Sequence, residues 1–561
     1  MTTNNARRFG AMLFLVLCMV SVAGAEAQAS GLPWWKDAPG PAYQVLVYSF
    51  ADSDGDGWGD LNGLRDSLGY LGDELGVSAL WLSPIQPASS YHGYDVTDYR
   101  GIDGRLGTMA DFEALVQTAH DKGIRIILDM VFNHSSREHP WFLDAIRSAS
   151  SPYRAYYRTK TDGTAYGSGG LGRFYRITRA DGSTFEYFSA FWEGMPDLNL
   201  DNTDVVNELK GALAFWLGKG VDGFRFDAAK HAFDPNEMPG GTATLALNKA
   251  FWNDVRRSAR RNKADVFFIG EVLSENAVEV AAYGGVFDSL FDFPTARSTL
   301  EAVGRGNPGN FLSAYAANSA QYARSPGFMP SPLLTNHDQD RVMSAILSRL
   351  GLDAAAGAGA RADDSAVVAQ AKAEALLKAK LAASITQTLP GLPFIYYGEE
   401  LGMTGRRYKN DDVARRDAFP WRDASMVGEA FGVSVTTWMK TSGKLEPGQN
   451  SQTPSLEAQR ADPGSLLSHY KALSSLRAAS PALRHGTLAK VSWPGFDGGS
   501  LVAWLRQAPE QTVLVLHNLG SLAFKVPAGG QSLSQLWSSE MGQSAETELG
   551  PGQSAVYLIR E

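Results

Sequence analysis

The feature that most constrains the fold is a repeat of short apolar runs and amphipathic helical segments through residues 40–480. Such runs predict strands that are buried on both faces, as parallel strands are. The clearest of them are residues 78–84, 124–134, 221–229, 266–272, 332–338 and 393–400. A helix is predicted over 108–123, with Thr108 as its N-cap and Gly123 as its stop. Repeated strand–helix units of this size predict an α/β fold, a (β/α)8 TIM barrel.

Two stretches break the repeat. Residues 135–200 are rich in Tyr, Gly and Ser and show no helical period, so we predict a small domain inserted after the third barrel strand. Beyond residue 480, the runs LVAWLR, TVLVLHNL and SAVYLI have the pattern of short alternating strands and are separated by Gly and Pro. They predict a C-terminal antiparallel β-sandwich over 481–561. The barrel is therefore predicted in two parts, 30–134 and 201–480.

The N-terminus has the pattern of a secretory signal. Arg7 and Arg8 precede the apolar run AMLFLVLCMVSVAG, and the small residues of AGA and AQA offer cleavage sites. The run is too short to span a bilayer. Residues 1–29 are therefore predicted to be removed on export to the periplasm or the medium, which leaves no stable membrane anchor. The only cysteine, Cys18, lies inside this segment, so the mature chain forms no disulfide.

The charge of the chain limits its partners. A formal net charge of −9 argues against nucleic acid and anionic membrane surfaces, whereas a neutral substrate is indifferent to it. The length of 561 residues is sufficient for two or three domains with a large core. We expect a monomer.

Polar side chains cluster where the predicted strands end. They are Asp129, Asn133, His134, Arg225, Asp227, Glu271, His337 and Asp338. The C-terminal ends of the strands form the active-site face of a barrel, so we expect these side chains to meet there. A single histidine at such a position is more often structural than functional, but the joint pattern is hard to explain in that way.

Besides Asp129, three of these residues are carboxylic acids, each at the end of a different predicted strand: Asp227, Glu271 and Asp338. Glycoside hydrolysis needs one carboxylic acid to protonate the leaving oxygen and one carboxylate on the other side of the anomeric carbon. Arg225 lies two residues before Asp227, on the same face of its strand. We expect Arg225 to keep Asp227 ionised and therefore nucleophilic.

The stretch DSDGDGWGDLNG places Asp52, Asp54 and Asp56 at the first, third and fifth positions of a calcium loop. The twelfth position is Gly63 and not the bidentate Glu of an EF-hand, and a strand-like run precedes the loop in place of a helix. The EF-hand interpretation therefore fails. A divalent-cation site is favoured, because these carboxylates and Asp60 repel one another without a cation. The alternative is a solvated Asp/Gly turn.

At these residues the sequence resembles the α-amylase family of glycoside hydrolases, over nearly all of the mature chain. DMVFNH, GFRFDAAKH, FIGEV and TNHD are similar to the four conserved blocks of that family, in the family's order. GDLNGL, MPDLN and GLPFIYYGEE are similar to its supporting blocks. The resemblance implies retaining hydrolysis of α-glucosidic bonds in starch, glycogen or maltodextrins.

The resemblance also implies roles for individual residues. Asp227 is then the nucleophile, Glu271 is the general acid and later the base, and Asp338 stabilises the transition state. The implied substrate-binding residues are His92, Tyr94, Asp129, His134, Arg225, Lys230, His231 and His337. Among them, Lys230 and His231 would touch sugars on the leaving-group side.

Calcium is the cofactor that the resemblance implies. In part of the family a loop like this one follows the first barrel strand and binds calcium. The ligands implied here are Asp52, Asp54, Asp56, Asp60 and the carbonyl of Trp58. A second calcium is implied at Asn133, Asp197 and the carbonyl of His231, where it would tie the inserted domain to the barrel.

Within the family, the sequence favours an endo-acting α-amylase, because AAKH after Asp227 has the α-amylase form. The alternative is an exo-acting α-glucosidase or a maltooligosaccharide transglycosylase, since the aspartate loop is common among the glucosidases. A metal-dependent amidohydrolase would need a His-x-His pair, which the chain lacks. A non-catalytic relative would be expected to have lost a catalytic carboxylate, and all three are present.

Overall fold

The computed structural model describes residues 31–179, 182–351, 365–407, 412–422, 453–492, 501–526, 531–539 and 548–560. The predicted signal segment, residues 1–29, lies outside these ranges. Within them, no helix combines the length and the hydropathy that crossing a membrane requires.

The strands within these ranges are short and fall into a parallel group and several antiparallel groups. In chain order they are β1 (Ala42–Val45), β2 (Ala79–Leu82), β3 (Arg125–Met130), β4 (Arg173–Thr178), β5 (Thr184–Ser189), β6 (Gly223–Phe226), β7 (Phe267–Gly270), β8 (Ser289–Leu290), β9 (Phe394–Tyr396), β10 (Thr487–Lys490), β11 (Leu501–Ala508), β12 (Gln511–Asn518), β13 (Phe524–Lys525), β14 (Ser532–Ser538), β15 (Glu548–Leu549) and β16 (Ser554–Arg560).

Helices lie between most of the parallel strands and after the last of them. The α-helices are Val47–Phe50, Leu61–Asp66, Met109–Asp121, Pro140–Arg147, Thr203–Gly218, Thr244–Asn262, Ala277–Ala282, Phe293–Arg305, Phe311–Tyr322, Val342–Arg349, Ser365–Thr388, Leu456–Arg460, Leu466–Ala479 and Pro481–His485. The predicted helix over 108–123 is confirmed as Met109–Asp121. A reciprocal capping box begins it, in which Thr108 accepts from the Asp111 N–H and Asp111 from the Thr108 N–H.

Seven strands form one parallel sheet, in the order β8-β7-β6-β3-β2-β1-β9. Each is fully or almost fully buried, which explains why the sequence runs are apolar throughout. The two edges of the sheet meet at residues 331–332. The Ser331 N–H donates to the Leu290 carbonyl at 2.9 Å, and the Phe394 N–H donates to the Pro332 carbonyl at 2.8 Å. These bonds join β8 to β9 and close the predicted TIM barrel.

The closing segment differs from its prediction. Residues 332–338 are predicted as a strand, but they form none, and the structure has instead an isolated parallel bridge between Phe291 and Ser331, just before them. Pro330 and Pro332 flank the bridge and have no N–H to donate, so a regular ladder cannot form. The sequence pattern also did not predict the two-residue strand β8, because it is too short to show an alternation.

The segment between β3 and the next barrel helix confirms the predicted insertion. Its centre is the antiparallel hairpin of β4 and β5. It also contains the helix Pro140–Arg147, which the sequence analysis did not predict. The helix begins with a proline after His139, whose Nδ1 accepts from the Trp141 N–H, and it buries Phe142 and Ala145. Eight residues are too few to show a helical period within an irregular stretch.

The C-terminal part confirms the predicted antiparallel architecture. Five strands form a sheet in the order β10-β11-β12-β16-β14, and β13 and β15 form a separate pair. The two sheets share an apolar core. Leu514, Leu516, Val526 and Leu549 are among the residues that it contains.

Candidate active site

The strand register brings the predicted catalytic residues to one end of the barrel. β3 and β6 are parallel neighbours in which Asp129 pairs with Arg225, and Arg225 pairs in turn with Ile269 of β7. Asp227 follows β6 directly and Glu271 follows β7 directly. The C-terminal ends of three adjacent strands therefore supply these side chains.

The guanidinium of Arg225, which has no exposed surface, is the centre of this group. Its Nη1 donates to both carboxylate oxygens of Asp129 at 2.9 Å and to Oδ1 of Asp227 at 2.8 Å. Its Nη2 forms an ion pair with Oε2 of Glu271 at 3.0 Å. The indole ring of Trp81 lies 5.0 Å from the guanidinium carbon. One buried cation is thus shared by three carboxylates.

Asp129 is held from several directions. Besides Arg225, Trp81 Nε1 donates to its Oδ2 at 3.0 Å, and the Tyr94 hydroxyl donates to the same oxygen at 3.1 Å. Burial raises the pKa of Asp129 to about 6, although Arg225 opposes the rise. Asp129 is completely buried, so it orients Arg225 and Tyr94 and presents no surface to solvent.

The backbone after Asp227 is strained. Ala228 has a φ of 47°, and among the described residues it is the only one other than glycine with a positive φ. This left-handed conformation costs a residue with a Cβ about 1–2 kcal/mol. It allows the Ala228 N–H to donate to Oε2 of Glu271 at 3.1 Å. The strain is therefore coupled to a hydrogen bond on a predicted catalytic carboxylate.

Asp227 and Glu271 hold their protons more tightly than ordinary carboxylic acids. Burial raises the pKa of Asp227 to about 7, and Arg225 offsets this rise only in part. Burial also raises the pKa of Glu271 to about 7, and the charge of Asp227 adds to that rise. The expectation that Arg225 keeps Asp227 ionised holds only in part, because Arg225 lowers the pKa of Asp227 but desolvation raises it more. Near neutral pH the pair therefore still holds a proton that isolated carboxylic acids would have lost.

The pKa of Asp338 is lowered, in contrast to the raised pKa values of Asp227 and Glu271. Its Oδ1 accepts from Arg416 Nη2 at 3.0 Å, and its Oδ2 lies 3.2 Å from His337 Nε2. Burial alone would raise the pKa of Asp338, but His337, Arg416 and Arg225 lower it to about 2. Burial lowers the pKa of His337 itself to about 3, so this ring is uncharged near neutral pH. The nearest permanent charge that keeps Asp338 ionised is therefore that of Arg416.

Burial also keeps two other predicted histidines of the site, His92 and His134, neutral. It lowers the pKa of His92 to about 3 and that of His134 to about 4. Gln44 Nε2 lies 2.7 Å from His337 Nδ1, and the Tyr94 hydroxyl lies 2.7 Å from His337 Nε2. An amide nitrogen only donates, so the His337 proton is on Nε2. Neutral imidazoles of this kind suit the hydroxyl groups of an uncharged sugar.

Lys230 and His231 lie in the 3-10 turn that follows Asp227. Lys230 Nζ donates to the Leu273 carbonyl at 2.9 Å and to Glu279 at 3.0 Å. His231 Nδ1 lies 2.9 Å from a carboxylate oxygen of Asp234. Neighbouring backbone and side-chain groups thus fix the orientation of the side chains of Lys230 and His231.

Sequence reasoning missed three residues of the site. Arg416, in the 3-10 helix Val413–Arg416, belongs to no motif and lies 78 residues after Asp338. Trp81 and Gln44 lie inside β2 and β1, where the apolar pattern indicated packing only. Gln44 did leave a signal, because a polar residue within a buried strand needs a partner.

The aspartate loop brings together three of its four carboxylates. Oxygens of Asp52, Asp54 and Asp60 lie within 4.8 Å of one another, and this group could hold a metal ion. The carboxylate of Asp56 is outside the group and accepts from the Trp58 N–H at 2.7 Å. Carboxylates on a tightly turning backbone are the donors that calcium prefers, so the residues fit the predicted ion.

The predicted second calcium position joins the barrel to the insertion. Asn133 Nδ2 donates to Oδ2 of Asp197 at 3.1 Å, and the Ala190 N–H donates to its Oδ1 at 3.0 Å. Burial raises the pKa of Asp197 well above its usual range. The His231 N–H donates to the Ala228 carbonyl at 2.8 Å. Two of the three predicted ligands are therefore in contact, and a second calcium stays a prediction.

Comparison with known proteins identifies the family. The model of the "Alpha amylase, catalytic domain" family matches residues 44–486, which contain nearly all of the barrel, the insertion and every residue of the site described above.

The chain belongs to the α-amylase family of glycoside hydrolases.

Individual relatives match it over most of their length. "Alpha-amylase 3" of Dictyoglomus thermophilum is 36% identical over 491 residues, which are 87% of this chain and 86% of that protein. "Oligo-1,6-glucosidase" of Heyndrickxia coagulans is 28% identical in an alignment of 588 positions that covers 94% of this chain and 100% of that protein. The crystal structure of the α-amylase from H. orenii superimposes with a TM-score of 0.74 at 34% identity and covers 93% of this chain and 99% of its own.

This membership establishes an enzyme that acts on α-glucans. The relatives differ in the reaction that their names state, so membership alone does not distinguish internal cleavage from terminal cleavage or transfer. The distinction depends on the residues around the cleft of this chain.

Replacement of Arg416 tests the electrostatic account of Asp338. Arg416→Gln removes the nearest permanent charge from Asp338, and we expect kcat/KM on soluble starch to fall about 100-fold as this carboxylate loses its position. Arg416→Lys keeps a positive charge and should lose less. Thermal melting of each variant checks that it is folded. A Gln variant that melts like the wild type and keeps its kcat/KM would contradict the account.

Proposed function

We propose that this protein is a retaining, endo-acting α-amylase that cleaves internal α-1,4-glucosidic bonds of starch, glycogen or maltodextrins. The observation that carries the proposal is the contact of Asp227 and Glu271 with opposite ends of one buried guanidinium, that of Arg225. Two carboxyl groups that share a proton beside a common cation have the chemistry that retaining glycosidases use. Export through residues 1–29, to the periplasm or the medium, is part of the proposal and rests on the sequence.

In the first step, Glu271 gives its proton to the glycosidic oxygen while the Asp227 carboxylate forms a bond to the anomeric carbon. The bond between that carbon and the oxygen breaks, and the leaving chain departs with a new hydroxyl. In the second step, Glu271 takes a proton from water, whose oxygen displaces Asp227. Asp338, kept ionised by Arg416, stabilises the positive charge that develops on the sugar.

The shared proton explains how this cycle can start near neutral pH. With the proton on Glu271, Asp227 is an anion beside Arg225 and is ready to attack. The hydrogen bond from Ala228 favours the charged form of Glu271, and so favours its loss of the proton as the leaving group departs. The same residue then acts as the base of the second step.

An exo-acting α-glucosidase or a transglycosylase is the second candidate. The match to an oligo-1,6-glucosidase over 94% of the chain favours it. Product analysis on soluble starch and on maltotriose separates the possibilities. An endo-acting amylase destroys iodine staining before much glucose appears, an exo-acting enzyme releases glucose from the start, and a transglycosylase converts maltotriose into longer chains. Early glucose without loss of staining would overturn the endo assignment.

Calcium at the aspartate loop is a further part of the proposal, with Asp52, Asp54 and Asp60 as the carboxylate ligands and the Trp58 carbonyl and Asp56 as the remaining candidates. The carboxylate spacing of the loop supports it. The loop lies after β1 and contributes no side chain to the Arg225 cluster, so the ion would stabilise the fold and take no part in the reaction.

The role of Glu271 predicts a dependence on the leaving group. Glu271→Gln should abolish cleavage of starch and spare most kcat/KM on α-maltosyl fluoride, because fluoride leaves without protonation. Asp227→Asn is the control and should lose both activities. In the wild type, kcat/KM on starch should fall as the pH rises through about 7, where Glu271 loses its proton. Equal loss on both substrates in the Gln variant would rule out a proton-donor role.

The calcium proposal predicts a change in stability. A ligand that binds only the folded state at a free concentration a hundred times its Kd stabilises it by about 2.7 kcal/mol. Chelation should therefore lower Tm and added calcium should restore it, and Asp54→Ala should weaken this response. Asp66→Ala, just outside the loop, is the matched control. Identical melting curves with and without chelator, in protein free of calcium by elemental analysis, would establish a solvated turn.

A further inference from the structure

Arg341 is a buried cation that its surroundings leave without a carboxylate partner. Its side chain is 1% exposed. Among the described residues, its guanidinium has two hydrogen-bond partners, both of them backbone carbonyls: Nε donates to Arg415 at 2.9 Å and Nη1 to Tyr397 at 2.6 Å. The buried Nη2 has no hydrogen-bond partner among these residues. Burial of an unpaired charge costs free energy, so packing alone does not explain an arginine at this position.

Two aromatic rings fix the orientation of this guanidinium. Its central carbon lies 4.3 Å from the ring centroid of Tyr396 and 4.6 Å from that of Tyr397. The attraction between a cation and an aromatic face offsets part of the cost of burial. The Arg341 N–H donates to the Gly405 carbonyl at 2.9 Å, which also holds the backbone in place. The donors of Arg341 are therefore directed at fixed positions.

The Arg415 carbonyl, which Arg341 contacts, directly precedes the residue that keeps Asp338 ionised. This carbonyl also accepts from the Tyr396 hydroxyl at 2.8 Å. The next residue is Arg416, whose Nη2 donates to Oδ1 of Asp338 at 3.0 Å. The Arg415 carbonyl and the Arg416 Cα atom belong to one planar peptide group. A bond to that carbonyl therefore fixes the point from which the Arg416 side chain extends.

Other hydrogen bonds run from this turn back to the segment that contains Asp338. Arg415 Nη1 donates to the Asp338 carbonyl at 2.6 Å, and Arg415 Nη2 donates to Oδ1 of Asp340 at 2.7 Å. Arg416 Nε donates to the His337 carbonyl at 3.3 Å. Residues 337–341 and 413–416 thus hold each other through three guanidinium groups. Arg341 is the one that acts on the backbone before Arg416.

We propose that Arg341 is a positioning residue for the reaction, which fixes the backbone at Arg415 and thereby places the guanidinium of Arg416 on Asp338. The proposal rests on the proposed function and adds a residue whose described contacts include none of the three carboxyl groups Asp227, Glu271 and Asp338. A displacement of about 1 Å in a group that orients the chemistry lowers the rate strongly, even when the change that causes it lies elsewhere.

The test is a double-mutant cycle between Arg341 and Arg416, with kcat/KM on soluble starch as the measured quantity. Arg341→Met keeps an unbranched side chain and removes both hydrogen bonds to carbonyls. We expect it to lower kcat/KM about tenfold in the wild-type background and less than about twofold in the Arg416→Gln background. The second background has already lost the guanidinium that Arg341 places. A role confined to stability would give the same loss in both backgrounds.

Tyr396→Phe is a milder variant on the same path, and it carries the test if Arg341→Met does not fold. It removes only the hydroxyl that donates to the Arg415 carbonyl and keeps the ring beside Arg341. Loss of one hydrogen bond of this kind should lower kcat/KM about threefold in the wild-type background. The loss should again disappear in the Arg416→Gln background.

Arg506→Met is the matched control. Arg506, in β11, has no exposed surface and also donates to backbone carbonyls, those of Thr388, Leu483 and Gly486. This variant should lower Tm because three carbonyls lose their donors. It should keep the kcat/KM of the wild type, since none of those carbonyls belongs to the turn that contains Arg416. Melting curves of all variants identify those that are folded.

Two results would overturn the positioning role and leave the proposed function intact. One is an equal loss of kcat/KM in the wild-type and Arg416→Gln backgrounds. The other is wild-type kcat/KM in folded Arg341→Met or, where that variant does not fold, in Tyr396→Phe. A wild-type enzyme that cleaves no α-glucan would instead overturn the proposed function, and the positioning role with it.

Discussion

The arrangement of the site depends on one interaction, the burial of a single guanidinium among three carboxylates. Arg225 has no exposed surface and contacts Asp129, Asp227 and Glu271. A buried charge is tolerated only when it is paired, and three acids around one cation carry an excess of negative charge if all are ionised. The group therefore keeps a proton at a pH where isolated carboxylic acids have lost theirs. That proton is what general acid catalysis requires.

A second guanidinium, that of Arg416, lowers the pKa of the third acid, Asp338. Arg416 keeps Asp338 ionised, while Asp227 and Glu271 have raised pKa values. Carboxylic acids with different pKa values can take different roles in one reaction, although their side chains are chemically alike. The neutral histidines around them add hydrogen bonds without adding charge. The whole face thus suits an uncharged substrate on which a positive charge develops.

The insertion after β3 is fixed to the barrel next to the residues that follow β3 and β6. Asp197 contacts Asn133 of the barrel and the backbone of Ala190, next to the exposed ring of Phe191. The same short segment therefore fixes the insertion to the barrel and positions the ring of Phe191 beside His134 and His231. The aspartate loop after β1 contributes no side chain to the Arg225 group.

The sequence by itself determined the barrel, the insertion, the C-terminal sheets and the catalytic candidates, because apolar periodicity, caps and motifs are local signals. The tertiary structure alone decided how the barrel closes at Ser331, since the prolines on both sides of this residue prevent the regular ladder that the apolar pattern indicates. It alone showed the positions of Arg416 and Phe191, which are distant in the chain from their partners. It also reversed the expected pKa shift of Asp227, because desolvation depends on everything that surrounds a carboxylate and not on its sequence neighbours.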